Sequence, residues 1–499
     1  MNRRLVVWWA LAGFLLAAGT ARAQSVDEKI KALEQELTQL KEQQIELKKE
    51  ATAAAAAMPS FSYRPGNGLN IEAADKSWGI RFTAETHFRM LFESGRDQRG
   101  RTNGEIMGRR FRPGFIYCVN NCLWEIEATL DLDGFGTGTG KNATATTFGS
   151  ILQRGAVIFH AENLHPWLPF VQFGMEVQNA FGSSLARQGS SAIGAQAEYD
   201  LLTRNNGFNT GRAGQGIVLN WDDRSLRSIG IPGRIRRFQV GMASIGEGDD
   251  GLSSFTDRKD FNVYLSVQPF SEVKNKWLSG LTFEGGTWFC NADNRANDNG
   301  CERYRIQDHG DGGRQTLFDT GGDSIGDGLT IAPAVGIVYN VGPYTLRAMG
   351  SWLSSEDRGV STGKKRAHNF LIGHDLFLWS PKGFLTGSAT TPNSILVGTH
   401  FERVDMSCTT AARCSGINSG DFHRIRVLLR EWDIWYFIAP RMSVGASVLW
   451  YDSSNLRNAR NQEAHNLGVC STTKIASGGC RNGIGGDWVD VMLNWRYTF

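Results

Sequence analysis

Asp490–Phe499 reads DVMLNWRYTF, and its side chains alternate in character. Val491, Leu493, Trp495, Tyr497 and Phe499 stand at every second position, with Asp490, Met492, Asn494, Arg496 and Thr498 between them. Successive side chains of a strand point to opposite faces, so a period of two predicts a strand with one apolar face. Trp78–Phe92 carries the alternation farther. Trp78, Ile80, Phe82, Ala84, Thr86, Phe88, Met90 and Phe92 are apolar or small, and Arg81, Thr83, Glu85, His87 and Arg89 lie between them. Strands of soluble sheets use about six residues. A run of about fifteen is adequate for a tilted strand crossing a bilayer.

The pattern recurs along the chain. It predicts strands at roughly 77–92, 105–118, 122–133, 152–162, 167–177, 215–222, 234–245 and 258–270. It continues at 279–290, 330–341, 343–354, 366–379, 394–406, 421–437, 440–452 and 486–499. Sixteen strands is an even number, as bacterial barrels require, with fourteen or eighteen as the neighbouring counts. Short connections such as Val119–Asn121, Asn163–Pro166, Gly342 and Ile438–Ala439 largely alternate with long ones. The long ones are Gly134–Ile151, Gln178–Gly214, Asn291–Leu329 and Ser453–Gly485. Barrels with brief periplasmic turns and extended surface loops show this alternation. Ser380–Asn393 departs from it, being long where a short turn belongs.

The N-terminal part differs in kind. Arg3 and Arg4 precede Leu5–Ala18, fourteen mostly apolar residues, and Ala21-Arg22-Ala23 follows as a small-x-small site. That arrangement predicts a secretory signal over 1–23, the run being too short to span as a helix. In Gln24–Ala57, Val26, Ile30, Leu33, Leu37, Leu40 and Leu47 recur at steps of four and three, with Gln44 in the same seam. This heptad pattern predicts a short α-helical coiled coil, the alternative being a solvated helix lying on the barrel. Pro59 ends it, and 58–76 reads as a linker to a barrel over 77–499.

The formal charge of +3 falls to zero without Arg3, Arg4 and Arg22, so no global basicity points to nucleic acid. Glycine at 59 and tryptophan at 15 suit tight turns and aromatic girdles. The eight cysteines fall into four close pairs: Cys118/Cys122, Cys290/Cys301, Cys408/Cys414 and Cys470/Cys480. An even count behind a secretory signal predicts disulfides that pin loops. Zinc is the competing reading, but the spacings are not CxxC and no histidine pair lies nearby.

A period-2 strand ending on an aromatic resembles the last strand of outer-membrane proteins, which their assembly machinery reads. Several segments, in order, resemble the phosphate-selective porin family of Gram-negative bacteria (porins O and P). They are GRRFRPGFIYCVNNCLWEIEATLD at Gly108–Asp131, FVQFGMEVQNAFG at Phe170–Gly182 and LWSPKGFLTG at Leu378–Gly387. SILVGTHFERVDM at Ser394–Met406 and REWDIWYFIAPRMSVGASVLWYD at Arg430–Asp452 look like the family's closing strands. The resemblance implies a sixteen-stranded trimeric porin with arginines in the lumen and lysines at the constriction.

If apolar residues face lipid, parity turns Arg81, Arg89, Arg110, Arg112, Arg237, Arg347, Arg424, Arg426, Arg430 and Arg496 into the lumen. Guanidinium groups stay charged and grip oxyanions bidentately, so a row of them would conduct small anions by successive weak binding. The alternative is that they pair with Glu85, Glu125, Glu127 or Asp131 and satisfy one another. Gln178–Gly214, where a sixteen-stranded porin folds a loop inward, carries Arg187, Arg204 and Arg212 beside Glu198 and Asp200. It has no lysine, which departs from the phosphate-specific pattern.

Enzyme signatures are missing from the chain. There is no HExxH or GxSxG, and GFGTGTGK at Gly134–Lys141 lacks the spacing of a phosphate loop. Asp131 and Asp133 hint at calcium, but no Glu closes a twelve-residue loop. The reading is an all-β transmembrane antiparallel barrel behind a periplasmic coiled coil. It passes small anionic or polar solutes without reaction or cofactor, and phosphate in particular if the resemblance holds. Homotrimer contacts and cell-wall peptidoglycan are the partners expected of the coiled coil, and outer-membrane lipid that of the barrel. The rival is a surface anchor or adhesin whose disulfide-pinned loops bind partners.

Overall fold

Long alternating strands leave every edge N–H and C=O unpaired unless the sheet closes on itself, and in this chain it closes. The computed structural model describes residues 26–93, 103–130, 132, 152–177, 213–231, 234–244, 260–292, 305–307, 316–319, 328–356, 364–408, 425–454 and 486–499.

Sixteen strands form the wall. They are β1 (Trp78–Glu93), β2 (Asn103–Val119), β3 (Trp124–Leu130), β4 (Leu152–His160), β5 (Phe170–Val177), β6 (Ala213–Asp222), β7 (Ile235–Ser244) and β8 (Asp260–Val267). The other half comprises β9 (Leu281–Ala292), β10 (Gly328–Val341), β11 (Tyr344–Glu356), β12 (Lys364–Ser380), β13 (Ser394–Cys408), β14 (Ile425–Ala439), β15 (Met442–Ser454) and β16 (Gly486–Thr498). Each is antiparallel to its neighbours, and β16 returns to β1 with Val491 opposite Phe92 and Trp495 opposite Phe88. These are the sixteen strands expected from the alternation, with ends moved by a few residues.

One end of the barrel is made of compact turns. Asn120 and Asn121 turn β2 into β3 at φ of 54°, a left-handed conformation that asparagine tolerates better than most residues. Gly342 (φ 55°) and Arg441 (φ 61°) turn β10 into β11 and β14 into β15.

Of the four expected disulfides, the structure shows one. Cys118–Cys122 is bridged and closes the turn at Asn120–Asn121. The pairs Cys290/Cys301, Cys408/Cys414 and Cys470/Cys480 are not shown, because Cys301, Cys414, Cys470 and Cys480 all lie outside the described residues. Cys290 stands near the end of β9 and Cys408 at the end of β13.

Two expectations change. The stretch 58–76 is not a plain linker: Ser60–Arg64 pairs with Gly68–Glu72, which pairs in turn with β1 through Leu69–Phe82 and Ile71–Ile80. The hydroxyls of Tyr63 and Tyr497 hydrogen-bond at 2.6 Å, holding this hairpin over the closure between β16 and β1. The long turn 381–393 is likewise folded. Gly383–Phe384 pairs back onto Trp379 and Ser380. Ser380 Oγ lies 2.6 Å from Thr386 Oγ1, and the Asn393 amide donates to the Phe437 carbonyl. Its length thus makes a knot of small polar side chains rather than a strand.

The N-terminal helix, Val26–Ala57, is a separate unit. Its seam residues Leu33, Leu37 and Leu40 are exposed on the single chain. No helix among the described residues is long and apolar enough to cross a membrane.

Candidate pore lining

The pleat sorts the wall into two faces. On β1, His87, Arg89 and Leu91 are buried, while Phe82, Phe88, Met90 and Phe92 are exposed. In a closed barrel the buried row is the inner one. The outer row continues around the wall as Phe111, Phe115, Ile126, Ile217, Phe261, Leu265, Val335, Phe370 and Leu493. The exposed aromatics include Trp167, Trp379 and Tyr436 near the compact turns and Trp352 and Trp450 toward the other end. An apolar outer band between two aromatic girdles is the surface a bilayer requires.

Six of the ten arginines stand on the inner face. Arg89 is almost fully buried, and its Nε donates to Asn494 Oδ1 at 2.8 Å, an oxygen that His87 Nε2 also approaches at 3.0 Å. Arg237 donates through Nε and a terminal nitrogen to Asn220 Oδ1, at 3.1 and 2.7 Å. Arg347 meets Asp375 at 3.1 Å. The Arg496 guanidinium lies 4.8 Å from the Trp435 ring centre. Arg81 and Arg112 share the inner parity of their strands. Arg110 is in register with His87.

Arg426 and Arg430 are on the outer face, against expectation. On β14 the buried row is Val427, Leu429, Glu431, Asp433, Trp435 and Phe437, and the exposed row is Trp432, Ile434, Tyr436 and Ile438. Both rows are largely apolar, so hydrophobicity alone could not choose the parity. Pairing settles it, because Glu431 stands opposite the buried His400, and Arg430 opposite Phe401 and Trp450. Arg424, Arg187, Arg204, Arg212, Glu198, Asp200 and Asp131 lie outside the described residues.

Sequence reasoning also missed most of the inner acids. Glu127, Glu284, Asp375, Glu402, Glu431, Asp433 and Asp490 are all buried on the inner face. The parity that turned Arg347 inward also turns Asp375 inward, one strand away; tracing it strand by strand would have found them. Asp375 and Asp433 flank Gly398 in register, and a methyl group there would sit 2.7–2.9 Å from oxygens of both. Among the described residues, both oxygens of Asp433 and Oδ1 of Asp375 have no hydrogen-bond partner, and Arg347 holds the other oxygen of Asp375. Carboxylates pay a large penalty in a dry interior unless they are paired, and Arg347 supplies that pairing to Asp375. At the compact-turn end of β4, His160 bridges Glu125 at 3.6 Å and Glu162 at 2.7 Å.

No family model matches the chain, and no curated protein does. Among solved structures, a loop-deletion form of OmpT, an outer-membrane protein of Vibrio cholerae, is similar at 8% identity and a TM-score of 0.49. That match covers 85% of this chain and all of that one. An anion-selective porin from Comamonas acidovorans is 11% identical with a TM-score of 0.47, over 85% of this chain and all of that one. The outer-membrane channel DcaP of Acinetobacter baumannii is 9% identical at 0.45, over 84% and 98%. At such values a shared solute or selectivity does not follow.

Proposed function

We propose that the chain is an outer-membrane porin, passing small hydrophilic solutes down their gradients through the barrel. One contrast supports this reading above the others. The outer wall is largely apolar with exposed aromatics toward both ends, whereas the inner wall carries arginines and carboxylates. The geometry supports weak selectivity rather than tight selection of phosphate, because seven buried carboxylates share the wall with the arginines.

Purified protein in planar bilayers should therefore conduct. Its reversal potential in a salt gradient should be small, and millimolar phosphate should not block it. Strong anion preference with block by low phosphate would overturn the weak-selectivity reading and restore a phosphate porin. Folded barrels that never conduct would overturn the channel and favour the surface anchor.

The helix Val26–Ala57 serves assembly in this proposal. Its exposed Leu33, Leu37 and Leu40 would be covered by the same seam of two further copies, and each fully buried leucine contributes about 1.5–3 kcal/mol. Deleting residues 24–57 is expected to lower the dissociation temperature of the oligomer on semi-native gels while leaving the folded monomer intact. An unchanged dissociation temperature would remove the helix from assembly and leave a contact with peptidoglycan as its remaining role.

A further inference from the structure

Four arginines stand on the outer wall toward the long-loop end, where an apolar surface would be expected. Arg403 and Arg426 clamp Asp405 between them, each donating from Nε, at 2.7 and 3.0 Å. Arg430 lies over the exposed Trp450 ring at 4.8 Å, and Arg366 is exposed on the adjoining β12. Asp405 is the acid these guanidiniums engage, and Asp452 stands on the same face of β15. Arg403 and Arg426 are only partly exposed, at 38% and 37% of the side chain, and both engage Asp405 through Nε alone. Their terminal nitrogens therefore remain available among the described residues.

The level of this cluster is set by the pairing. Trp352 is in register with His368, then Asp405, then Arg426; Trp450 is in register with Arg430. Arg426 and Arg430 thus stand in register with exposed tryptophans of this wall. Ten residues separate Tyr436, near the compact turns, from Arg426 on the same strand. At about 3.3 Å per residue and about 45° of tilt that is about 23 Å, close to the height of an apolar band. An outward arginine is costly at mid-bilayer and nearly free at the headgroups, which fits this position.

Below it, on the same outer wall, lies a groove of about 660 Å³ running from β14 across β15 and β16 to β1. Phe88, Ile434, Tyr436, Leu493 and Trp495 form its sides, and the small side chain of Ala446 leaves its floor low. Ile434 is four residues below Arg430 on the same face, about 13 Å along the strand. A phosphate-sized anion held by guanidiniums and an acyl chain laid in the groove would therefore be one molecule's length apart.

We propose that this wall binds an outer-leaflet lipid with a phosphorylated headgroup, gripped by Arg403, Arg426 and Arg430, with an acyl chain in the groove. The assignment rests on the outer-membrane reading above. Bidentate guanidinium contacts suit phosphate oxygens, and Trp450 orders Arg430 toward the headgroup layer.

The test uses the full chain in a non-ionic detergent, with conductance recorded on the same preparation. A bisphosphorylated acylated glucosamine disaccharide (lipid A) is titrated against its dephosphorylated form and followed by native mass spectrometry. The phosphorylated lipid should be retained at least about tenfold more strongly. Arg403→Gln/Arg426→Gln/Arg430→Gln should abolish that difference at unchanged conductance, and the matching lysine variant should keep part of it. Ala446→Trp should weaken retention of both lipids by filling the groove. Equal retention of the two lipids, or displacement by millimolar inorganic phosphate, would overturn the lipid assignment. If Ala446→Trp separated copies of the chain without altering lipid retention, the groove would belong to a second copy instead. Lost conductance in the wild type would count against the porin reading, not against the lipid site.

Discussion

Gly280→Val is expected to abolish most of the folded barrel. Gly280 follows the short helix Lys276–Ser279 and delivers the chain into β9 at Leu281. A Cβ built on it would lie 1.7 Å from the Asn340 carbonyl oxygen and 2.8 Å from its carbon. Both are backbone atoms of β10, whose amide at Asn340 donates to the Gly280 carbonyl at 3.0 Å. No rotamer relieves a collision between Cβ and backbone. The start of β9 must therefore move, breaking this hydrogen bond and straining the adjoining Leu281–Tyr339 pair. Overpacking of this kind costs about 3 kcal/mol or more. The comparison variant is Gly285→Ala on the same strand, where the nearest atoms stand at 3.5 and 3.7 Å and contact is ordinary. Unheated gel migration and urea unfolding measure both. A Gly280→Val barrel as stable as the Gly285→Ala one would discard the argument.

Asp375→Asn with Asp433→Asn should move selectivity toward anions. The two carboxylates face each other across Gly398, with Arg347 on Asp375 and Arg496 against the Trp435 ring of the same strand as Asp433. Removing the negative charge this pair carries leaves those guanidiniums to set the local potential. A charge felt at about 4 Å through water contributes about 1 kcal/mol, so the anion-to-cation permeability ratio should rise about fivefold. The effect should shrink in high salt as screening tightens. Asparagine keeps the shape and its hydrogen-bonding capacity, but Arg347 loses an ionic partner in a buried setting, so folded fractions must be compared first. A reversal potential identical to wild type, from folded protein, would mean that ions do not pass this stretch of wall.

The sites of these two predictions differ in how much could be read in advance. Each strand of the wall was visible as alternation, because lipid on one side and charge on the other leave a period of two, as along Trp78–Phe92. The same parity sends Arg89, Arg237, Arg347 and Arg496 inward, since each falls between the residues of its strand's outer row. It failed on β14, where Val427, Leu429, Trp435 and Phe437 make the inner row as apolar as Trp432, Ile434 and Tyr436 make the outer one. A single strand with two apolar faces holds no information on which faces lipid. Its partners supply it, through Glu431 opposite His400 and Arg430 opposite Trp450.

Local chemistry therefore determined what could be decided by one strand at a time: strand number, antiparallel order, the turns at Asn120–Asn121 and Gly342, and the helix before them. Tertiary structure alone decided what depends on register between strands. It brought Asp375 and Asp433 together across Gly398, set Gly280 against Asn340, folded 381–393 into a turn, and turned Arg426 and Arg430 outward beside Asp405 and Trp450. The physical reason is that alternation is a property of one backbone, whereas the meeting of side chains from residues 375, 398 and 433 depends on where three backbones are hydrogen-bonded to one another.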